Sequence, residues 1–180
     1  MSDSWLVVID MQVVFADPSS AWCTPGYAAI EPTVVRLVTH FGKRVVFTRF
    51  IAPEHPTGAW VPYFQRWPFA LVHHSDPLYD PMPAFASTDH TAISRTTFGK
   101  WSDELSTIIG PDGTVVLAGV STDCCVLSTA LAAADAGVRV IVAEDACAGQ
   151  SVTEHQRAID AMALYGPLIE IMTADVVLAR

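Results

Sequence analysis

The stretch Thr114-Val115-Val116-Leu117-Ala118-Gly119-Val120-Ser121-Thr122-Asp123-Cys124-Cys125-Val126 decides how this chain folds. Its first five residues form an unbroken apolar run, as in a strand covered on both faces. Beyond the turn, Leu127 to Ala134 reads as a helix. A thiol therefore stands on a strand-to-helix turn, at a helix N-terminus. There, free backbone N–H groups and the helix dipole favour a thiolate. The same N–H groups can receive the oxyanion of a carbonyl under attack. The plain alternative is a pair of small buried cysteines packing the start of a helix.

The same alternation runs outward in both directions. Trp5 to Ile9 is an apolar run that ends at Asp10. Helical periodicity follows from Ala29 to Phe41, with Pro32 in the first turn and Gly42 past the end. Arg44 to Thr48 is a second strand, and Ile51 to Thr88 a long irregular segment rich in Pro and Trp. Thr91 to Arg95 is a third strand, Thr114 to Ala118 the fourth and Val138 to Val142 the fifth. A helix from Thr153, as N-cap, to Tyr165 leads to a last strand, Leu168 to Met172. There is no repeat, low-complexity tract or linker. Strands apolar on both faces and separated by helices predict one α/β domain over residues 1–180. It is a three-layer α-β-α arrangement around a mostly parallel, doubly wound, six-stranded Rossmann-like sheet.

In such sheets ligands bind outside the carboxyl ends of the strands. Asp10 ends the first strand, Arg95 ends the third, and the Ser121–Cys125 turn follows the fourth, so three reactive groups are expected on one edge. Taken singly, Asp10 also reads as an Asx-type cap of the following turn, and Arg95 as a surface salt bridge.

Composition narrows the function. Hydrophobic residues make up 51% of the 180 and charged residues 16%, with a net charge of −9. So little charge predicts that a partner subunit covers some apolar surface, giving a homo-oligomer, a dimer or tetramer. The few basic residues form no patch, which argues against nucleic acid. No run of eighteen apolar residues and no leader pattern is present, which argues against a membrane. The four cysteines have no metal-ligand spacing and make a poor disulfide framework, as expected of reduced thiols in the cytoplasm.

Asp10-Met11-Gln12 followed by Phe15, the Gly119–Val126 stretch, and Glu144-Asp145-Ala146-Cys147-Ala148 together resemble the isochorismatase-like cysteine hydrolases, in order, over nearly the whole chain. The family includes nicotinamidases, ureide hydrolases and isochorismatases, and its triad is Asp, Lys, Cys. The resemblance implies Asp10 as the acid–base group. It implies Cys125, directly before Val126, as the nucleophile, with Cys124 at a variable position. It also implies a cis peptide between Val120 and Ser121, and an oxyanion hole built from the Ser121 and Cys125 N–H groups.

The family lysine falls at the end of the third strand, shortly before a Phe. Arg95 holds that place here, so we take Arg95 as the expected cationic member and Lys100 as its alternative; the chain has two lysines, Lys43 and Lys100. Arg stays protonated and cannot shuttle a proton, so in that role it would only hold the anionic partners.

The expected activity is hydrolysis of a C–N bond in a small amide, ureide or carbamoyl compound through a thioester. The alternatives are vinyl ether cleavage of the isochorismatase type, or an impaired member serving as a binding or scaffold protein. Gln12, Phe15, Trp60, Phe98 and Trp101 are the expected pocket residues. The aromatic segment Trp60 to Phe69 reads equally as pocket wall or subunit contact. The family's nicotinamidases carry an Asp-x-His after the second strand. Here the region reads Arg49-Phe50-Ile51-Ala52-Pro53-Glu54-His55, and His55, His73, His74 and Glu54 fit no usual ligand spacing. No metal and no cofactor is expected.

Overall fold

A computed structural model describes residues 4–86 and 89–180. The end of the expected irregular segment, Ser87 and Thr88, lies outside the described residues. The chain runs β1 (Ser4–Ile9), α1 (Val13–Ala16), α2 (Tyr27–Phe41), β2 (Val45–Phe50), α3 (Trp60–Arg66), β3 (Thr91–Arg95), α4 (Asp103–Ile109), β4 (Thr114–Val120), α5 (Leu127–Asp135), β5 (Arg139–Ala148), α6 (Val152–Ala163), β6 (Ile169–Met172) and α7 (Ala174–Leu178). Three single 3₁₀ turns, Pro68–Ala70, Pro77–Tyr79 and Pro83–Phe85, shape the long segment before β3. Each opens on a proline, whose fixed φ suits a first helical position.

The six strands are all parallel, in the order β3-β2-β1-β4-β5-β6. Their side chains split by alternation. Leu6, Val8, Val116, Ala118, Ile141 and Ala143 face a core closed by α2 and α7. Val7, Ile9, Val115, Leu117, Val140 and Val142 face the other core, with Leu105 and Ile109 of α4, Ala130 and Ala133 of α5 and Met162 of α6. Both faces are thus apolar, as the continuous apolar runs require.

The strand order reverses between β1 and β4. That crevice, between the carboxyl ends of adjacent strands, is the switch point of the sheet. The strands come very close there, with Ile9 paired to Gly119. Gly119 has φ +118°, and a Cβ on it would lie 2.2 Å from the Ile9 carbonyl oxygen. Both facts demand glycine. Gly119→Ala is expected to destabilise the fold by about 4 kcal/mol or more, because backbone must move on both strands. Urea denaturation with an unchanged midpoint would contradict this.

α2 starts earlier than the sequence reading, at Tyr27, and β2 and β4 run on to Phe50 and Val120; the larger differences, at β5, at α6 and in the short helices, have local reasons. β5 continues past Val142 to Ala148, although Glu144 and Asp145 look like a break. The Asp145 carboxylate is used there, accepting the Ala174 N–H at 2.6 Å at the start of α7. The N-cap of α6 is Ser151, not Thr153: its hydroxyl accepts the Glu154 N–H at 3.2 Å and donates to the Glu154 carboxylate. The short helices α1, α3, α4 and α7 were not delimited from the sequence, being too short to show a period.

Cys147 gives the fold a marked response to alkali. It is 4% exposed, paired in register with Gly119 deep in the sheet. Burial pushes its thiol up from 9.0 to about 12. Below pH 9 the group is protonated in both folded and unfolded chains and contributes nothing to the pH slope. Between 9 and 12 only the unfolded chain gives up the proton, so stability falls by about 1.4 kcal/mol per pH unit from this group. The melting temperature is expected to drop above pH 9, and Cys147→Ala to flatten that drop. Parallel profiles for the two proteins would contradict it.

Candidate active site

Asp10 follows β1 in the left-handed region, at φ 49°, a conformation Asp tolerates better than most residues. Its side chain does not cap the next turn. Oδ1 accepts the Thr48 hydroxyl proton at 2.7 Å, and the same hydroxyl oxygen accepts the Asp10 N–H at 3.2 Å. Thr48, from β2, thus fixes the carboxylate rotamer. Oδ2 faces the ammonium of Lys100 at 2.9 Å, and both side chains are fully buried.

The cation beside Asp10 is therefore Lys100, and the expectation for Arg95 is corrected. The reason is topological. Arg95 ends β3, the edge strand, and β2 stands between β3 and the β1–β4 crevice. Corresponding strand ends are not all neighbours. The chain needs the loop from 96 to 99 to come back over β2 and deliver Lys100 to the crevice. Arg95 stays half-buried at the sheet edge.

Lys100 lies ahead of α4, which starts at Asp103 under the Ser102 cap, and so is held by no strand or helix of its own. Nζ donates to the Thr97 carbonyl at 2.9 Å and sits 5.2 Å over the Phe50 ring. Its backbone N–H donates to the Thr129 hydroxyl oxygen at 3.0 Å.

Cys125 lies in a π turn, Thr122–Val126, that joins β4 to α5, with the Val126 N–H reaching back to the Ser121 carbonyl at 3.1 Å. Such wide turns recur at functional sites. The Val120–Ser121 peptide is cis. The Cys125 side chain is 3% exposed, and the charges of Asp10 and Lys100 both act on it. Burial, with the Asp10 charge next, holds this thiol well above its ordinary value, and Lys100 only partly offsets them. A resting thiolate at the helix start, expected from the sequence, is thus replaced by a buried thiol next to a carboxylate that can take its proton. The dipole argument assumed an exposed turn, and desolvation outweighs it here.

Above Cys125 opens a small cavity of about 70 Å³, lined by Phe15, Trp22, Phe50, Tyr63, Phe98, Ser121, Cys124 and Gln150. Five of these are aromatic. Trp22 stacks parallel to Phe15 at 6.2 Å between ring centres and meets Phe50 edge-on at 5.5 Å. Of the expected wall residues, Phe15 and Phe98 line it. Trp60 stands behind the wall, 5.3 Å from both Tyr63 and Phe98. Trp101 turns to the core on the α4–α6 side. Gln12 is a brace: its amide donates to the Phe50 and Tyr79 carbonyls at 3.0 and 2.8 Å and accepts the Phe50 N–H at 2.7 Å. The aromatic segment from Trp60 supplies cavity wall through Tyr63 and core through Phe64.

Trp22, Phe50, Cys124 and Gln150 were not foreseen as wall residues, and Thr48 and Thr129 were missed altogether. The two threonines did carry a signal. Thr48 is a hydroxyl closing an apolar run, Thr129 one of two hydroxyls in a mostly apolar helix, and such a hydroxyl, once buried, must find a partner. Among the described residues no three His, Cys, Asp or Glu side chains converge as metal ligands. His73 and His74 stack on each other, and His73 Nδ1 pairs with the Ser75 hydroxyl at 2.7 Å.

The structure thus brings the Asp10–Lys100 pair close to Cys125, at the switch point of a parallel sheet. The isochorismatase domain model matches residues 4–175. This chain belongs to the isochorismatase family. It is accordingly an isochorismatase-family hydrolase. Its fold is shared with a cysteine hydrolase from Pseudomonas syringae pv. phaseolicola 1448A, at TM-score 0.86 and 21% identity over 98% of this chain and 91% of the other. It is also similar to a pyrazinamidase of Pyrococcus horikoshii in complex with zinc, at TM-score 0.77 and 26% identity over 95% and 99%. A nicotinamidase from Bacillus subtilis aligns at TM-score 0.74 and 19% identity over 94% and 98%. No curated protein matches the chain. No helix among the described residues is long and apolar enough to cross a membrane.

Proposed function

We propose that this protein hydrolyses a C–N bond in a small amide, ureide or carbamoyl compound, with Cys125 as nucleophile, Asp10 as proton carrier and Lys100 as the fixed cation. The observation that carries this reading is the buried Asp10–Lys100 pair at 2.9 Å, whose charges act on the buried Cys125 thiol. A desolvated ion pair beside a buried thiol contributes little to stability on balance, so its presence at the floor of a cavity favours chemistry.

Asp10 takes the Cys125 proton as Sγ attacks the carbonyl carbon. The oxyanion is received by the Ser121 and Cys125 N–H groups. The C–N bond breaks as Asp10 passes that proton to the departing nitrogen, which leaves as an amine or ammonia. A water molecule then loses a proton to Asp10 and attacks the thioester, and the acid departs as the thiol is restored. Lys100 stays charged throughout and holds Asp10 and the passing thiolate. The narrow aromatic cavity suits a substrate whose acyl part is small and flat or apolar.

A missing lysine would favour the scaffold alternative, and the lysine beside Asp10, Lys100, weighs against it. Vinyl ether cleavage needs no cysteine, so the contact between Cys125 and Asp10 favours the amide reading. The test is a screen of small amides and ureides against the wild type and Cys125→Ala. Turnover in the first and not the second supports the proposal. Equal turnover in both would overturn it.

A further inference from the structure

We propose that Thr129 is a positioning residue that fixes Lys100 against Cys125 through a single buried hydroxyl. This inference rests on the proposed triad.

The observation is an unusual economy of contacts. Lys100 is one of the largest fully buried side chains, yet it lies on no strand or helix. Its Nζ contacts are Thr97, from its own loop, the ring of Phe50, and Asp10 itself. None of these refers the lysine to the nucleophile's helix. The Thr129 hydroxyl does. Oγ1 accepts the Lys100 N–H at 3.0 Å and donates its own proton to the Cys125 carbonyl at 2.6 Å. One oxygen thus bonds the backbones of two triad residues that lie twenty-five positions apart in sequence, and it is 0% exposed. A hydroxyl is the group this place needs. It accepts and donates at once, whereas valine, of the same shape, does neither. Thr129 sits one turn after Cys125, so the bond back to the i−4 carbonyl comes from helix geometry alone. That fixes the rotamer before the lysine loop arrives.

The third member is held separately. Asp10 is fixed by Thr48 from β2. Loss of the Thr129 hydroxyl should therefore let the loop carrying Lys100 shift while Asp10 and the π turn stay in place. A displacement of about 1 Å in such a group costs about 10²-fold in turnover.

The groups facing Cys125 are Asp10 after β1, Lys100 from the loop before α4, Cys124 within the turn and Tyr63 of α3. Of these Lys100 favours the thiolate, and Asp10 and Cys124 oppose it. Drift of Lys100 therefore makes the thiol harder to ionise. This can be read without any substrate.

The experiment measures the pH profile of iodoacetamide alkylation at Cys125, by mass spectrometry, in protein carrying Cys124→Ser so that one thiol of the turn reacts. Thr129→Val is expected to move the midpoint up by about one pH unit and slow alkylation at pH 8 about tenfold. Thr129→Ser should restore the parent profile. In a Lys100→Met background, Thr129→Val should add nothing. A folded Thr129→Val with the parent profile would overturn the proposal, as would an equal further shift without Lys100. If the valine variant does not fold, hydrogen exchange on the unaltered protein decides. The Lys100 amide should exchange far more slowly than the amides of the loop before it, and fast exchange there would sink the idea. Because no substrate is used, these outcomes are separate from the amide screen. The thiol can obey Lys100 and Thr129 even if no amide is hydrolysed.

Discussion

Cys125→Ala is expected to lower hydrolysis by about 10⁴-fold or more while the protein stays folded, and Cys124→Ala to keep turnover within about tenfold of the wild type. The two cysteines are adjacent and both reach the same cavity, so sequence proximity cannot separate them. Surroundings do. Cys125 is buried and under the influence of both Asp10 and Lys100. Cys124 is half-buried, and its thiol is raised by burial and by the Asp123 charge, with no contact to Asp10 or Lys100 among its causes. It has no base to take its proton and no cation to hold its anion. Alanine at 125 removes the sulfur that forms the thioester in the proposed mechanism, and no water placed there reproduces it. Removing one sulfur from a core site should cost about 1 kcal/mol in stability, a typical value for a point change. The measurements are turnover on whichever amide the screen returns, circular dichroism, and trapping of the acyl-enzyme by mass spectrometry. An active Cys125→Ala beside a dead Cys124→Ala would reverse the assignment.

The fold was legible because its signals are local and repeated. Runs such as Trp5–Ile9 and Thr114–Ala118 are apolar without alternation, and only a sheet covered on both sides hides both faces. Asp10 and Cys125 were legible for a related reason. Asp10 directly follows β1 and the turn that carries Cys125 follows β4, both central strands, so the place of each in space follows from its place in the chain. Lys100 was not, because its position depends on strand order. Nothing in Thr91–Arg95 announces that this strand is the edge, or that β2 will separate it from the crevice. A residue at the end of a strand looked like the site, when the loop beyond it had to travel back. The thiol's state was misjudged for want of burial, since a helix start looks the same in sequence whether water reaches it or not. The aromatic segment could be read two ways because aromatic side chains serve walls and interfaces alike. Tyr63 and Phe64 are adjacent, and helix geometry sends one to the cavity and the other to the core.

Lys100→Met is expected to cut turnover by about 10²- to 10³-fold and to destabilise the protein by about 3–5 kcal/mol, whereas Arg95→Met should change both little. The stability loss follows from burial. Asp10 and Lys100 are each fully enclosed, and at 2.9 Å each is the other's counter-ion. Neutralising one leaves the other's charge in a low-dielectric interior with no water to replace its partner. The Thr48 hydroxyl bond to Oδ1 survives, but it carries no charge. The turnover loss has a different origin. In the proposed mechanism negative charge moves to sulfur as the Cys125 proton moves to Asp10, and Lys100 is placed to receive it without reorganisation. Lys100→Arg should also fail, because the planar guanidinium does not fit between the Thr97 carbonyl, the Phe50 face and Asp10. Arg95 stands at the sheet edge, half-buried, where a charge contributes at most about 1 kcal/mol. Urea denaturation and turnover on the three variants decide the matter. Should Arg95→Met be the inactive protein and Lys100→Met the active one, the loop from 96 to 99 does not bring Lys100 to Asp10 in solution, and the triad must be drawn with the arginine after all.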